Sequence, residues 1–221
     1  MENNEVTSSI KFIDVKKVFA EKNPGLAKVL PGFVFSLIKR IVHENDLNSI
    51  LKSYGHLRGI DFMSSMIDYF SIRIKTVGFD KVSESGRFVF AANHPLGGLE
   101  GIALTIILVG KYGDLRVPVN DILLQVPNFR PFFSPINKHG SSTKDAIREF
   151  DKNYASDLQM LMFPAGMVSR KIKGVITDLE WKKTFITKAI QHKRDVVPIF
   201  VGGRNSKFFY NLGRIRSFLG V

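Results

Sequence analysis

The chain has 221 residues, with 32 Lys and Arg against 20 Asp and Glu for a formal net charge of +12, and it contains no cysteine. Such a length suits one ordinary domain with room for a helical appendage, and 44% hydrophobic with 24% charged residues excludes disorder over most of it. Disulfides, thiolate nucleophiles and Cys-ligated zinc are excluded outright, while the charge attracts anionic partners without choosing among nucleic acid, acidic lipid headgroups and an acidic carrier protein.

The opening MENNEVTSSIKF lacks the basic start and apolar centre of a secretory signal. No uncharged apolar run approaches the roughly 20 residues of a spanning helix, so any work at a membrane would be done on its surface. Residues 1–70 read as an N-terminal helical segment, possible ground for membrane association. A short helix over Asp14–Glu21 is closed by Asn23-Pro24-Gly25. LAKVLPGFVFSLIKRIVHE, residues 26–44, is apolar in the middle, has Lys28 before and Lys39-Arg40 after, and should kink at Pro31-Gly32. It suits a buried helix or an element lying in a lipid interface. Asp46 can cap a third helix, LNSILKSYG, and a fourth follows over about 58–70.

From residue 71 the period changes, and 71–221 reads as an α/β domain. SIRIKTVG, 71–78, alternates as a half-exposed strand does, and RFVFAAN, 87–93, is a buried-strand run. LEGIALTIILVGKYG is helical and ends at Gly113. Short strands are expected near 115–118 and 133–137, an amphipathic helix over 143–154, and a buried strand over 157–163. Asp178 can cap LEWKKTFITKAIQHK. DVVPIFVGG, 195–203, reads as a buried strand whose Val197-Pro198-Ile199 is core, and SKFFYNLGRIRSFL as a terminal helix. Strands alternating with helices imply a mostly parallel or mixed central sheet flanked by helices. In such sheets, ligands bind beyond the carboxyl ends of the strands.

Two strand exits carry candidate chemistry. After 87–92 come Asn93-His94-Pro95-Leu96-Gly97-Gly98-Leu99-Glu100. His94 sits just past the strand and Glu100 in the first turn of the next helix, while Gly97 and Gly98 allow a sharp turn and close approach of a ligand to the backbone. An imidazole titrates close to neutral pH and is a competent base. A carboxylate on its other nitrogen fixes the tautomer and stabilises the imidazolium, and the helix start offers N–H groups to an oxyanion or phosphate. After 157–163 come Phe163-Pro164-Ala165-Gly166-Met167-Val168-Ser169-Arg170-Lys171. Arg170 suits a phosphate or carboxylate, though an exposed basic loop would read the same way. In a parallel sheet both exits open on one edge. In 119–140, Arg130 lies between aromatics that could wall an acyl or headgroup pocket or simply pack, and Asn137-Lys138-His139-Gly140 follows a strand. His43, His56 and His192 have no metal-ligand spacing, and no G-x-S-x-G, P-loop or G-x-G-x-x-G is present.

NHPLGGLEG, NFRPFF, FPAGMVSR and VVPIF, in that order and spacing, resemble the lysophospholipid acyltransferase superfamily, which includes the 1-acylglycerol-3-phosphate acyltransferases. The wording is closest to the haemolysin-like branch, some of whose members acylate lyso-aminolipids such as lyso-ornithine or lyso-glycine lipid. The resemblance runs from about residue 75 to the C-terminus. It implies an O-acyltransferase of phospholipid or related lipid metabolism with His94 as base and Glu100 as its orienter. Asn93, Gly97, Gly98, Arg130, Gly166, Ser169 and Arg170 would line the substrate site, with Gly166 and Arg170 on the acceptor's anionic headgroup. It implies no bound cofactor or metal. The co-substrate is acyl-CoA or an acylated carrier protein, the acceptor a lyso-lipid hydroxyl, and the place a peripheral one on the cytoplasmic face of the inner membrane. The positive charge would then serve the membrane surface and the carrier rather than nucleic acid.

Three features depart from the family pattern. Five residues rather than four separate His94 from its acid, which in a helix would rotate that acid by about 100°. Met167 stands where an acid is usual. The chain ends soon after the fourth block, as a shortened or incomplete version would. A non-catalytic lipid- or nucleic-acid-binding protein on the same fold, or a hydrolase or thioesterase using the same base on water, are the competing expectations.

Overall fold

A computed structural model describes residues 12–211 except 23, 42, 120–122 and 136–142. The chain divides into two compact units, one ending at His56 and the other beginning at Leu57.

The first unit is helical: α1 (Val15–Lys22), α2 (Pro24–Val29), α3 (Gly32–Ile41) and α4 (Glu44–Tyr54). The Asp14 carboxylate opens α1 by accepting the N–H groups of Lys16 and Lys17 at 2.9 and 3.2 Å, the usual N-cap arrangement. The kink expected at Pro31-Gly32 is a full break between α2 and α3, since Pro31 cannot continue the ladder. Asp46 does not cap α4. The helix starts two residues earlier, after His43 in a left-handed conformation, and the Asp46 carboxylate instead meets His43 Nδ1 at 2.9 Å. Buried Glu44 accepts the Val15 N–H at 2.9 Å, and Asn48 brackets Ile13, so α4 holds the start of α1 through polar groups, while Phe19 of α1 packs edge-on against Phe35 of α3. Val29 and Phe33 stay exposed.

The second unit takes in α5 (Gly59–Tyr69), the helix expected over about 58–70. Its frame is β1 (Phe88–Ala92), α6 (Gly98–Tyr112), β2 (Leu115–Val119), β3 (Phe133–Pro135), α7 (Thr143–Ala155), β4 (Gln159–Met162), β5 (Arg170–Ile172), β6 (Val175–Thr177), α8 (Thr184–Gln191) and β7 (Asp195–Ile199). Five strands form one sheet in the order β3-β2-β4-β1-β7, with every pair parallel. β4 lies between β1 and β2, so the two exits singled out above leave from neighbouring strands. Register pairs Ala91 with Met162 and Ala92 with Ile199, which brings the ends of β4, β1 and β7 to one edge. All five residues of β1 are buried, as befits a central parallel strand covered on both faces. Val89 and Ala91 pack with Tyr154, Met160, Phe185 and Ala189 under α7 and α8.

Three expectations are corrected. Residues 71–78 join no ladder among the described residues: 73–77 are exposed, so the alternation marks no buried face. Among the described residues β7 is not core but the sheet's edge, paired with β1 alone and half exposed, a position where Pro198 and its missing N–H are tolerated. The antiparallel hairpin β5–β6 occupies residues to which the sequence assigns no strand, closed by Lys173-Gly174 with both residues at positive φ, as a two-residue hairpin turn requires. The terminal helix is seen as far as residue 211. Asn137, Lys138 and His139 lie outside the described residues.

Candidate active site

The chain leaves β1 through Asn93 and His94, and side chains from neighbouring segments hold this exit. The Asn93 amide nitrogen donates to the Val201 carbonyl at 2.9 Å, and its oxygen accepts the Val201 N–H at 2.6 Å. Both polar groups of Asn93 therefore serve the main chain beyond β7. Asn205 Nδ2 donates to the Pro95 carbonyl at 2.8 Å. Gly97 turns the chain at φ +98°, a conformation that strains any side chain, whereas a Cβ on Gly98 would meet nothing within 4 Å. One glycine is needed for the turn, and the other leaves open space over the helix start.

Glu100 is the third residue of α6. Its Oε1 accepts the N–H groups of Leu96 and Gly97, each at 2.9 Å, and stands 2.9 Å from His94 Nδ1. The anion held at the positive end of α6 is thus its own carboxylate, 3% exposed. The fifth intervening residue does not part the pair, because the turn through Leu96 and Gly97 absorbs it before the helix begins. The contact has hydrogen-bond length without hydrogen-bond direction: Nδ1 and Glu100 Oε2 are both buried with no aligned partner among the described residues. Catalytic hydrogen bonds commonly tighten when substrate arrives. With its proton on Nδ1, toward the acid, the imidazole keeps a lone pair on Nε2. The side chain is 18% exposed, and its ring lies against that of Phe163 with centroids 4.5 Å apart.

Phe163 opens the second exit, from β4. Gly166 turns at φ +68°, and a Cβ there would lie 3.6 Å from Lys182 Nζ, so an ammonium that the sequence reading passed over stands beside this glycine. The Ser169 N–H donates to the His94 carbonyl at 2.7 Å, while its buried hydroxyl donates to Asp178 Oδ1 at 2.5 Å. Asp178 caps no helix, since α8 starts only at Thr184. Its carboxylate is engaged by Ser169, by the Trp181 indole N–H at 2.9 Å, and by the His94 N–H at 3.2 and 3.3 Å. One acid thus binds the main chain of the candidate base to both segments flanking the hairpin. The Arg170 guanidinium lies over the Phe209 ring, 5.3 Å from its centroid, one residue from the Ser169–His94 bond.

His94, Glu100, Gly97, Gly98, Gly166, Ser169 and Arg170 therefore come together at the carboxyl edge. Arg130 does not. It is exposed and precedes β3, at the amino end of a strand whose carboxyl end faces that edge. His43 and His192 are engaged elsewhere, with Asp46 and Asp151.

A sequence profile described as acyltransferase matches residues 17–221. The chain is 43% identical over 214 residues to the lyso-glycine lipid O-acyltransferase of Bacteroides thetaiotaomicron, across 96% of this chain and 79% of that protein. It is likewise 43% identical over 214 residues to the protein of the same name from Phocaeicola vulgatus, across 96% and 77%. Likeness of that extent joins the His94–Glu100 pair on the carboxyl edge of a parallel sheet, and the protein belongs to the acyltransferase family.

Proposed function

We propose that the protein transfers a fatty acyl group from an acyl thioester to the free hydroxyl of a lyso-lipid, with His94 as general base. The observation that carries this reading is the 2.9 Å approach of buried Glu100 Oε1 to His94 Nδ1. Nε2 removes the hydroxyl proton as the oxygen attacks the thioester carbonyl. The tetrahedral intermediate collapses, the C–S bond breaks, and the imidazolium returns the proton to the departing thiolate. The products are an ester and a free thiol. No enzyme nucleophile is required, because the thioester is already activated. Glu100 orients the ring and stabilises its cationic form; a positioned base of this kind contributes about 10²–10⁴-fold.

The donor in this reading is acyl-CoA or an acylated carrier protein. The names of the two relatives favour a lyso-aminolipid acceptor over lysophosphatidic acid, in keeping with Met167 at a position where the family usually has an acid. Arg170 and Lys182, beside Gly166, are suited to the acceptor's anionic headgroup. Among the described residues no helix is long and apolar enough to cross a membrane. The proposed place of work is the surface of an anionic cytoplasmic leaflet, to which the net charge of +12 is drawn.

The test offers purified protein each donor with lyso-glycine lipid and with lysophosphatidic acid, and compares wild type with His94→Ala. Acylated lipid from wild type and a loss of about 10³-fold in the variant are expected. Equal turnover by both would remove His94 from the mechanism, and free fatty acid without acylated lipid would make the protein a hydrolase.

A further inference from the structure

The β5–β6 hairpin stands between Ser169 and Asp178, the two residues that hold the main chain of His94, so it projects from the rim of the candidate active site. Nothing in its own composition explains why it stays folded. A two-stranded ribbon is marginal in water, and this one has three-residue strands and exposed apolar side chains. Ile172 pairs with Val175, and Lys171 pairs with Ile176. Successive residues of a strand point to opposite faces, so Ile172 and Val175 occupy one face and Ile176 the other. Val175 is 65% exposed, and Phe200, next to the end of β7, is 86% exposed. Ile199 pairs with Ala92, which places Phe200 beside the chain leaving β1 for His94.

Apart from Glu100 and Asp178, which are engaged within the site, and Glu180 just beyond the hairpin, the hairpin and the segment after β7 carry charge of one sign. Residues 163–177 contain Arg170, Lys171 and Lys173, residues 199–211 contain Arg204 and Lys207, and neither stretch contains an acid. A folded protein docking on the ribbon would cover one face and leave the other wet. A lipid interface surrounds both faces, takes aliphatic and aromatic side chains at the acyl boundary, and leaves lysines to reach the phosphates.

We propose that the β5–β6 hairpin and Phe200 form a wedge that enters an anionic bilayer surface and seats the mouth of the His94 site on it. The proposal rests on the lyso-lipid reading for its purpose, since an acceptor held in a bilayer would reach the base without leaving the lipid. Binding itself can be measured independently of catalysis.

The chain has no cysteine, so Val175→Cys gives a single attachment point for an environment-sensitive fluorophore, and Glu84→Cys, near the amino end of β1, gives a control. Vesicles of phosphatidylcholine with phosphatidylglycerol should shift the label at 175 to an apolar environment and leave that at 84 unchanged. An acidic acyl carrier protein should move neither. Lys171→Glu with Lys173→Glu should weaken vesicle partitioning at least ~25-fold, about fivefold for each lost cation. It should slow acylation of lyso-lipid held in vesicles and leave acylation of a short-chain, monomeric lyso-lipid unchanged. The wedge is overturned by vesicle binding with no change at 175, by an apolar environment at 175 before vesicles are added, or by a response to the carrier protein in place of the vesicles. A shift at 175 in a protein that transfers no acyl group would keep the wedge and remove the function proposed above. A His94-dependent enzyme with no shift would do the reverse.

Discussion

The two ends of the central sheet are made from similar residue types and use them in opposite ways. At the amino end, buried Arg194 donates to the carbonyls of Tyr154, Leu158, Asn153 and Ser156, and Arg87 donates to those of Tyr154, Ala155 and Ser156. The last carbonyls of a helix have no partner within it, and two guanidinium groups here cap α7 and complement its negative end. Gln159 adds a bridge from β4 to Gly86 and Phe88. At the carboxyl end, Glu100, Asn93 and Asp178 position a main-chain turn, while His94 Nδ1 stands beside Glu100 Oε1 without hydrogen-bond alignment and Glu100 Oε2 has no partner among the described residues. At the amino end, where the fold is locked, the guanidinium groups satisfy main-chain carbonyls, although the Asn153 amide nitrogen and the Tyr154 hydroxyl have no partner among the described residues; at the carboxyl end the unaligned groups are the imidazole and carboxylate for which chemistry is proposed, as a site awaiting a substrate requires.

Mutation should separate the two ends. His94→Ala is expected to cut acyl transfer about 10³-fold, near 4 kcal/mol of transition-state stabilisation, with the thermal midpoint almost unchanged. A large fall in the midpoint would mean that the carboxyl end, too, is mainly structural. Arg194→Met should behave oppositely. Burial foremost, and then Arg87, lowers its guanidinium to about 10, so it stays charged at neutral pH. Removing it strands several buried carbonyls at a cost of about 3 kcal/mol, while the kcat of the remaining folded protein should hold. Denaturant melts with turnover per folded molecule check both halves of that statement.

Smaller effects probe the carboxyl end from within. Glu100→Gln keeps an oxygen for the Leu96 and Gly97 N–H groups but removes the charge facing Nδ1, so a loss of about 30-fold in kcat with little change in KM is expected. If KM rises and kcat holds, Glu100 belongs to binding. Asp178→Asn leaves one acceptor where the His94 N–H, Ser169 and Trp181 now share two carboxylate oxygens. Since Asp178 touches the base only through its main chain, a loss of about tenfold is expected. Thermal melts on the same sample show whether the loop or the whole domain has loosened.

The fold was legible wherever burial was dense. The FVFAA run of β1 and the helices α6 and α7 stand close to where apolar pattern and Gly113 put them, and the His94–Glu100 junction follows from the rule that strand exits carry chemistry. Misreadings arose where the decisive partner is distant or absent. Asp178 reads as a helix cap because one capping residue looks like another in sequence, yet its carboxylate answers a backbone N–H 84 residues away. Residues 71–78 alternate convincingly, but a strand needs a neighbour, and none of the described residues pairs with them. The apolar run of β7 resembles a central strand, and only Pro198 signals an edge. The hairpin escaped notice because its strands are three residues long and bury nothing.

The weakest interaction gives the finest test of the contrast between the ends. Asp151 on α7 accepts from Lys188 Nζ at 2.5 Å and meets His192 Nε2 at 3.1 Å, joining α7 to α8 and the turn after it. The hydrogen bond from Lys188, and after it that from His192, lowers the Asp151 carboxyl below its ordinary 3.8. The unfolded chain therefore takes up this proton first as pH falls. The stabilisation is complete above the ordinary aspartate range and disappears as pH drops through the lower native value. Because the Asp151 side chain is 40% exposed, solvent screening limits it to a few tenths of a kcal/mol. Asp151→Asn should lower the thermal midpoint slightly at neutral pH, less in high salt, and not at all once the wild-type carboxyl is protonated. Acyl transfer should be unaffected at any pH, because this link leads toward Arg194 and the locked end. A change in kcat with Asp151→Asn would show that the two ends are coupled through α8 rather than separate.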